Sequence, residues 1–172
     1  MASQQQDYIL RQIDLLRQFV KRVVHKRPDP EVDEALLLAL HLQEKLFPLP
    51  PAEFLRLDLA AQIALLRTNE SRTTGNARCI AYATLLAETA RLYEHKGEPD
   101  FAAGARQMGL YAALSVALDN PTDAEANQLA RELLAQLDAG SLHPPVVALL
   151  EQLKPEGSPD RLAANLPDRP QA

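Results

Sequence analysis

Residues 76–118, NARCIAYATLLAETARLYEHKGEPDFAAGARQMGLYAALSVAL, decide the fold of this 172-residue chain. The stretch holds two long helical patterns that are separated at Gly97-Glu98-Pro99. Glycine readily adopts the left-handed conformation that ends many helices, and proline is suited to the first turn of the next helix. The stretch therefore predicts an antiparallel helical hairpin.

Each predicted helix of the hairpin has one face made mostly of small residues. These residues are Cys79, Ala83, Leu86, Ala87 and Ala90 on the first helix, and Ala102, Ala105, Gly109, Ala112 and Val116 on the second. A glycine inside a helix costs about 1 kcal/mol relative to alanine, so Gly104 and Gly109 indicate a compensating close approach of the two backbones. We expect the two faces to pack directly against each other.

The composition predicts an all-α protein. Apolar residues make up 47% of the chain, mostly Leu and Ala, while aromatic residues make up 5% and Trp is absent, a mixture that favours helices over strands. The length fits one domain, since domains commonly hold about 100–200 residues. We predict a single helical domain of about seven helices at residues 1–154, with a hairpin core at 76–118 and a Pro-rich, flexible tail at 155–172.

Cap residues and prolines mark the other predicted helices. Residues 67–76 are polar and are predicted to form a loop, with Asn76 capping the first helix of the hairpin. Before the hairpin, helices are predicted from Ser3 to about Lys26 and from Pro30 to Pro48, and one or two helices are predicted from Pro51 to Leu66, with Asp58 as a cap. After the hairpin, one helix is predicted from a capping box of Thr122 and Glu125 to Gly140, and another from Pro144 to Leu153.

The first predicted helix has a broad apolar stripe. Its members recur at spacings of three and four residues and cover more than a narrow coiled-coil seam. They are Ile9, Ile13, Leu16, Val20 and Val23, and the stripe is widened by Leu10, Leu15, Phe19 and Val24. We expect neighbours on two sides of this helix, and the stripe also suggests that the chain forms homo-oligomers through it.

The hairpin resembles a single tetratricopeptide unit. The matching residues are Tyr93, Gly97, Ala102 and the closing Leu118-Asp119-Asn120-Pro121. Thr89 and Arg106 replace a leucine and an aromatic residue of the family's pattern, and Pro121 comes about two turns late. No second copy lies roughly 34 residues away, whereas solenoids usually require at least three repeats. The resemblance implies one lengthened unit rather than a repeat array.

The whole chain also resembles an uncharacterised bacterial all-helical family. Members of that family open with a segment similar to Gln5-Gln6-Asp7-Tyr8-Ile9-Leu10-Arg11-Gln12-Ile13 and later carry a tetratricopeptide-like hairpin similar to residues 85–118. This resemblance implies a helical fold and leaves the function open, and it transfers no catalytic residues.

The first helix is basic although the chain has a net charge of −5. Lys21, Arg22, Lys26 and Arg27 form a candidate basic surface for nucleic acid, an anionic membrane or an acidic partner. A solvated face near the negative end of the helix dipole is the favoured interpretation, because charge runs are usually solvated. The acidic balance of the whole chain also argues against nucleic acid as the main partner.

Two further groups of residues are candidates for binding. Arg78 and Tyr82 belong to types that are enriched in interface hot spots, so we predict that a partner segment contacts them. Residues 67–76 contain arginines and threonines that could hold an anion at a helix N-terminus. The absence of a glycine-rich phosphate motif favours a plain surface loop there.

The sequence contains no catalytic, metal or cofactor signature. Its four histidines are widely spaced, no nucleophile elbow is present, and Cys79 is assigned to the core. One cysteine excludes an intramolecular disulfide, no secretory signal opens the chain, and no apolar run approaches the ~20 residues of a membrane span. We therefore expect a cytoplasmic protein without enzymatic activity or cofactor.

A protein-interaction or scaffold module of tetratricopeptide-like type is the preferred function from these observations. Two alternatives stay open, namely an anion or nucleic-acid binder that uses the basic first helix, and a helical domain with a small-ligand pocket beside the hairpin. Salt-sensitive binding would favour the first alternative, and a pocket with convergent polar groups would favour the second.

Overall fold

The computed structural model describes residues 2–23 and 30–154, together with the side chains of 7–21 and 31–154. The regular secondary structure in this part of the chain is entirely helical, with no strand, so the all-α prediction is confirmed. Its α-helices are α1 (Ala2–Val23), α2 (Pro30–Glu44), α3 (Pro51–Phe54), α4 (Leu59–Arg67), α5 (Arg72–His95), α6 (Pro99–Asp119), α7 (Ala124–Ala135) and α8 (Pro144–Leu153), and a 3-10 turn spans Ala139–Ser141. The predicted tail at 155–172 lies outside the described residues.

The α5–α6 hairpin is the centre of the fold. Gly97 has φ +77° and ends α5 as predicted. The N–H of Glu98 donates to the carbonyl of Tyr93 at 2.9 Å, and the N–H of Gly97 donates to the carbonyl of Glu94 at 3.0 Å. These two hydrogen bonds form the motif that commonly closes a helix at glycine, and they satisfy carbonyls that the helix leaves free.

The backbones of α5 and α6 approach closely at Gly109 but not at Gly104. A Cβ added to Gly109 would lie 3.2 Å from the carbonyl oxygen of Ala83 and 3.3 Å from Cβ of Leu86, both on α5. A Cβ added to Gly104 would have no neighbour within 4 Å. The prediction of close approach is therefore correct for Gly109 and wrong for Gly104, which faces away from α5.

Helix α5 begins earlier than the sequence suggested. Ser71 caps it by accepting a hydrogen bond from the N–H of Thr74 at 3.2 Å, and Asn76 lies inside the helix. The predicted loop at 67–76 shortens to a turn in which Asn69 has φ +62°. A tertiary contact explains the difference, because the Asn76 amide nitrogen donates to the carboxylate of Asp119 at the end of α6.

Two departures from the tetratricopeptide pattern make polar links to other helices. Thr89 accepts a hydrogen bond from Gln43 of α2 at 2.8 Å, inside the core. Arg106 is buried, donates to Gln136 just after α7 at 3.0 Å, and forms an ion pair with Glu94 of α5. These side chains connect the hairpin to α2 and α7, whereas a repeat unit would carry apolar residues that pack on the next repeat.

Three aromatic side chains fill the space between α2, α3 and α5. The rings of Phe47 and Phe54 stack with centroids 4.0 Å apart, and Tyr82 meets both edge-on. The region after Pro51 forms two helices rather than one, since Asp58 caps α4 by accepting the N–H of Ala61 at 2.8 Å. This arrangement resolves the alternative that the sequence left open.

Helix α7 starts one residue later than its predicted capping box. Asp123 accepts the N–H of Ala126 at 2.9 Å, while the hydroxyl of Thr122 donates to Asn120. The helix ends at Ala135, short of the predicted Gly140, and the 3-10 turn leads to α8. The start of α8 at Pro144 is as predicted.

Helix α1 has a buried stripe and an exposed side. It begins at Ala2, so Ser3 lies within the helix rather than capping it. The predicted core stripe is buried against α2 and α5, namely Ile9, Ile13, Leu16 and Val20. Leu10 and Leu15 are exposed, so the prediction that they widen the buried stripe is wrong.

Candidate functional site

A long groove lies along α5 between α1 and α7. It consists of two cavities of about 660 Å³ and about 270 Å³, which both include Arg17 and Thr84 in their linings and therefore adjoin. Its floor runs along α5 from Arg72 to Arg91. At 1.5 Å per residue this distance is about 29 Å. We call this feature the α5 groove.

The floor of the α5 groove is one face of α5 that carries few large side chains. The residues on it recur every three or four positions, with Ala77, Ala81 and Thr84 near the middle and Ile80 as the largest apolar member. Because α1 and α7 both pack on α5 and line the two sides of this face, the small residues leave space between the two walls. Leu10 of α1 adds an exposed apolar side chain to one rim.

One half of the α5 groove is acidic. Asp14 of α1, together with Asp123 and Glu125 at the start of α7, lines this half, and none of the three forms an ion pair within the described chain. Arg72 also lies here, but it pairs with Asp119 at 2.7 Å. Three carboxylates without cationic partners therefore face a potential ligand.

A buried amide adds to the acidic half. Asn76 is 8% exposed, and its amide nitrogen donates to Asp119 at 2.7 Å. Its Oδ1 atom is buried and has no hydrogen-bond partner. The hydrogen bond from Arg72, followed by that from Asn76, lowers the pKa of Asp119 below its ordinary value. The charged form of Asp119 thus stabilises the junction between the start of α5 and the end of α6.

The other half of the α5 groove is built around a buried carboxylate. Glu88 is 5% exposed and lies 3.1 Å from Arg91 and 3.6 Å from Arg17. Lys21 also lines this half. Burial raises the pKa of Glu88 above its ordinary value, while the charges of Arg91 and Arg17 oppose that rise. The pKa of Glu88 is raised overall because the loss of hydration on burial has a larger effect than the two ion pairs.

The raised pKa of Glu88 predicts how stability depends on pH. In the unfolded chain the pKa returns to its ordinary value of 4.5, so between the two values the folded state binds more protons than the unfolded state. The free energy of unfolding therefore falls as pH rises through this interval. Glu88→Gln removes the titration and keeps the shape, so its stability advantage over the wild type should grow with pH.

Urea unfolding at a series of pH values would measure this difference. Glu132→Gln, on the opposite wall of the same half, removes one exposed negative charge and serves as the matched control. A stability difference between Glu88→Gln and the wild type that stays constant or shrinks as pH rises would contradict the assignment.

The structure separates the two predicted partner contacts. Tyr82 is 1% exposed, packs between Phe47 and Phe54, and donates to Gln62 at 3.4 Å. A partner cannot reach this ring without opening the core, so the assignment of Tyr82 as a contact residue is corrected to a core residue. Burial also raises the pKa of its hydroxyl.

Arg78 is partly exposed but is held by its own chain. It pairs with Glu70 at 2.6 Å and lines a smaller pocket of about 240 Å³, which also includes Lys45 and Phe47. The prediction that Arg78 contacts a partner stays a prediction. Its ion pair with Glu70 shows a structural role in fixing the turn between α4 and α5.

The candidate basic surface is described only in part. Lys21 is exposed on α1 and belongs to the α5 groove. Arg22 lies in α1, but its side chain is outside the described set, and Lys26 and Arg27 lie outside the described residues altogether. The structure therefore places one member of this surface at a site.

The candidate anion site before α5 is occupied by contacts within the protein. Arg67 donates to the carbonyl of Ser115 at 3.1 Å, and Arg72 pairs with Asp119. Ser71 accepts the N–H of Thr74 at the start of the helix. These contacts use the groups that an anion would need, which favours a structural role for this segment.

The α5 groove has a weak signal in the sequence. Small or polar residues occupy two faces of α5, and the hairpin explains only the face with Cys79 and Ala83. The second face, at positions 77, 81 and 84, also avoids large side chains, which is the pattern that could have indicated an open surface. The walls contributed by α1 and α7 have no local signal, because their positions depend on tertiary packing.

Comparisons with known protein families, curated proteins and solved structures found no significant match. In the described segments, no helix is both long and apolar enough for a bilayer span, and no three His, Cys, Asp or Glu side chains gather as a metal site would require. Cys79 is buried, as predicted, and burial raises the pKa of its thiol.

Proposed function

We propose that this chain is a protein-interaction module that binds a peptide segment of a partner protein in the α5 groove. The proposal rests on the form of this groove. The groove is about 29 Å long by the helical rise, its floor carries small side chains in the middle, and charged side chains line both ends. The α5–α6 hairpin, as a lone tetratricopeptide-like unit, supplies a rigid floor.

The length of the groove favours a peptide over a compact ligand. An extended peptide of about nine residues, or a helix of about nineteen, spans 29 Å. Grooves between helices commonly take an amphipathic segment whose apolar side chains face the floor. Ile80 and Leu10 offer apolar contact in the middle of the larger cavity, and the small side chains beside them admit anchoring residues.

The charges at the two ends define the chemistry of the segment. Asp14, Asp123 and Glu125 favour a basic residue of the ligand in the acidic half. Lys21 and Arg91 favour an acidic residue in the other half, although Glu88 partly neutralises that end. The proposed ligand is therefore an amphipathic peptide with a basic end and an acidic end, bound in one direction along α5.

A small ligand is the second candidate. The larger cavity measures about 660 Å³, which lies within the range of about 300–1,000 Å³ that is common for small-molecule sites. Buried polar groups of Asn76 and Thr84 converge on it. Nucleic acid is less favoured, because Arg17 is paired with Glu88 and the opposite end of the groove is acidic.

Filling the groove tests the proposal. Ala77 is partly exposed on the floor, and Ala77→Trp would place an indole where a peptide side chain would bind. Peptides selected from a random library on the wild-type chain should lose at least about tenfold in affinity for this variant, equivalent to about 1.4 kcal/mol. Fluorescence anisotropy with labelled peptides would measure the loss.

Two controls separate groove filling from other effects. Ala148→Trp adds the same ring at an exposed position of α8, and Lys45→Ala alters the smaller pocket that Ala77 also borders. Both variants should bind the selected peptides as the wild type does. Peptides that bind Ala77→Trp with undiminished affinity, or a library that yields none while small polar molecules stabilise the chain against heat, would contradict the peptide proposal.

A further inference from the structure

The smaller pocket of about 240 Å³ lies between α1, the turn that follows α2, and the first half of α5. It shares Leu10, Ala77 and Ala81 with the α5 groove, and these residues form the boundary between the two cavities. Thr74 and Arg78 lie one turn apart on a face of α5 that the groove does not use. We call this cavity the α2-turn pocket.

The shape of the α2-turn pocket follows from the end of α2. The N–H groups of Leu46 and Phe47 donate to carbonyls in the last turn of α2, at 2.9 Å and 3.2 Å. Pro48 has no N–H and cannot continue the helix, so the chain turns over α5 at this point. Because Ala77 and Ala81 are small, α5 does not fill the space beneath the turn. The pocket is therefore preformed.

One part of the α2-turn pocket is an apolar wall. Ile9 of α1 and Leu46 of the turn belong to the buried core and line the pocket together with Phe47, which is partly exposed. The Phe47 ring stacks on Phe54 with centroids 4.0 Å apart and meets Tyr82 edge-on. These contacts hold the ring in place, so the wall offers a fixed surface to the hydrocarbon part of a ligand.

The polar part of the α2-turn pocket is cationic. Lys45 and Arg78 line it, and no Asp or Glu occurs among the described residues of its lining, whereas the α5 groove has carboxylates in both halves. Lys45 is exposed and forms no ion pair with a described residue. Its ammonium lies 5.4 Å from the ring centre of Tyr8, a contact that leaves its N–H donors free for an anion.

Arg78 also keeps donors for a ligand although it is paired with Glu70. Its Nη2 donates to Glu70 at 2.6 Å, and its Nη1 lies 3.5 Å from the carbonyl oxygen of Leu66, at the limit of a hydrogen bond. A guanidinium carries five N–H donors in a fixed planar arrangement. The ion pair with Glu70 therefore positions the group and leaves further donors for a second carboxylate.

We propose that the α2-turn pocket binds a small organic monocarboxylate, with its carboxylate at Lys45 and Arg78 and its apolar body against Phe47. Sites for small molecules commonly combine apolar walls with a few polar groups that fix the orientation of the ligand. A cavity of about 150 Å³ holds benzene, so about 240 Å³ gives room for a ring or a short alkyl chain together with a carboxylate. A cation would be repelled here, and inorganic phosphate would leave the apolar wall without a contact.

This site goes beyond the peptide proposal because it has its own polar groups. Neither Lys45 nor Arg78 lines the α5 groove. Substitution of Lys45 should therefore weaken acid binding and leave peptide binding unchanged. Either proposal can fail while the other is still supported.

A titration of the full chain by nuclear magnetic resonance tests the site, with 3-phenylpropionate and hexanoate as the probes. Both acids should shift the backbone amide resonances of residues 45–47 and 74–81, with a Kd of about 1 mM or below. The neutral analogue 3-phenylpropionamide has nearly the same shape and should bind at least about tenfold more weakly than its acid, because it lacks the charge.

Lys45→Met separates the charge from the rest of the pocket. The variant keeps a long unbranched side chain, so it should lose about tenfold in affinity for both acids and bind the amide as the wild type does. Lys154→Met removes the same charge from an exposed position after α8, outside the pocket lining, and should bind the acids normally.

Three results would overturn the proposal. The first is the absence of shifts at residues 45–47 and 74–81 with either acid at about 10 mM, well above the expected Kd. The second is equal affinity of the wild type for the acid and its amide. The third is wild-type affinity of Lys45→Met for the acids.

Discussion

Phe54→Ala should lower the free energy of unfolding by about 3–5 kcal/mol, the range typical of a fully buried phenylalanine. Phe54 is 0% exposed, stacks on Phe47 at 4.0 Å and meets the edge of Tyr82 at 6.0 Å between ring centres. It belongs to α3, which has only four residues and depends on this ring for its contact with the core. Truncation removes the apolar contact and leaves a cavity between α2 and α5.

Phe101→Ala is the matched control for this prediction. Phe101 is 61% exposed, and its ring stacks only on Tyr93 at 5.3 Å. The same substitution there should cost less than about 1.5 kcal/mol, since one exposed aromatic pair contributes little. Urea unfolding monitored by circular dichroism would measure both. Equal costs at the two positions would contradict the assignment of Phe54 to the core.

Gly109→Val should destabilise the protein by about 1–3 kcal/mol through overpacking. The first added carbon would lie 3.2 Å from the carbonyl oxygen of Ala83, a backbone atom that cannot rotate away, and the branches of valine add further atoms. A side chain of α7 also closes the site, since Leu133 lies 3.3 Å from the same point. Accommodation requires α5 and α6 to move apart.

Gly104→Val provides the comparison on the same helix. A Cβ at Gly104 meets nothing within 4 Å, and valine has a higher helix propensity than glycine, so this variant should be neutral or slightly more stable. Thermal unfolding of the two variants side by side would show the contrast. A loss at Gly104 as large as that at Gly109 would contradict the assignment of the close contact between α5 and α6 to Gly109.

The hairpin could be predicted from sequence because its signals are local. Gly97 and Pro99 mark a turn whose geometry depends on the residues within it, and the structure confirms that turn. The start of α5 could not be predicted in the same way. Ser71 and Asn76 are both good capping residues, and the choice between them depends on Asp119, which lies more than forty positions away in the chain.

The candidate site was harder to predict than the fold. Tyr82 and Arg78 share the composition of interface residues, but composition does not show that the Tyr82 ring fits between Phe47 and Phe54. The α5 groove depends on where α1 and α7 pack relative to the floor at Ala77, and no local pattern encodes that distance. The residue types in the sequence therefore predict which positions are buried or exposed, but they do not predict that the exposed face of α5 lies at the bottom of a groove.

The placement of α1 has a thermodynamic consequence for binding. This one helix forms a wall of the α5 groove with Leu10 and Arg17, and its buried stripe packs against α2 and α5. Any conformation in which α1 is detached lacks this wall, so a peptide in the groove would select the attached state. By linkage, peptide binding would stabilise the attachment of α1 by the same free energy that this attachment contributes to peptide affinity.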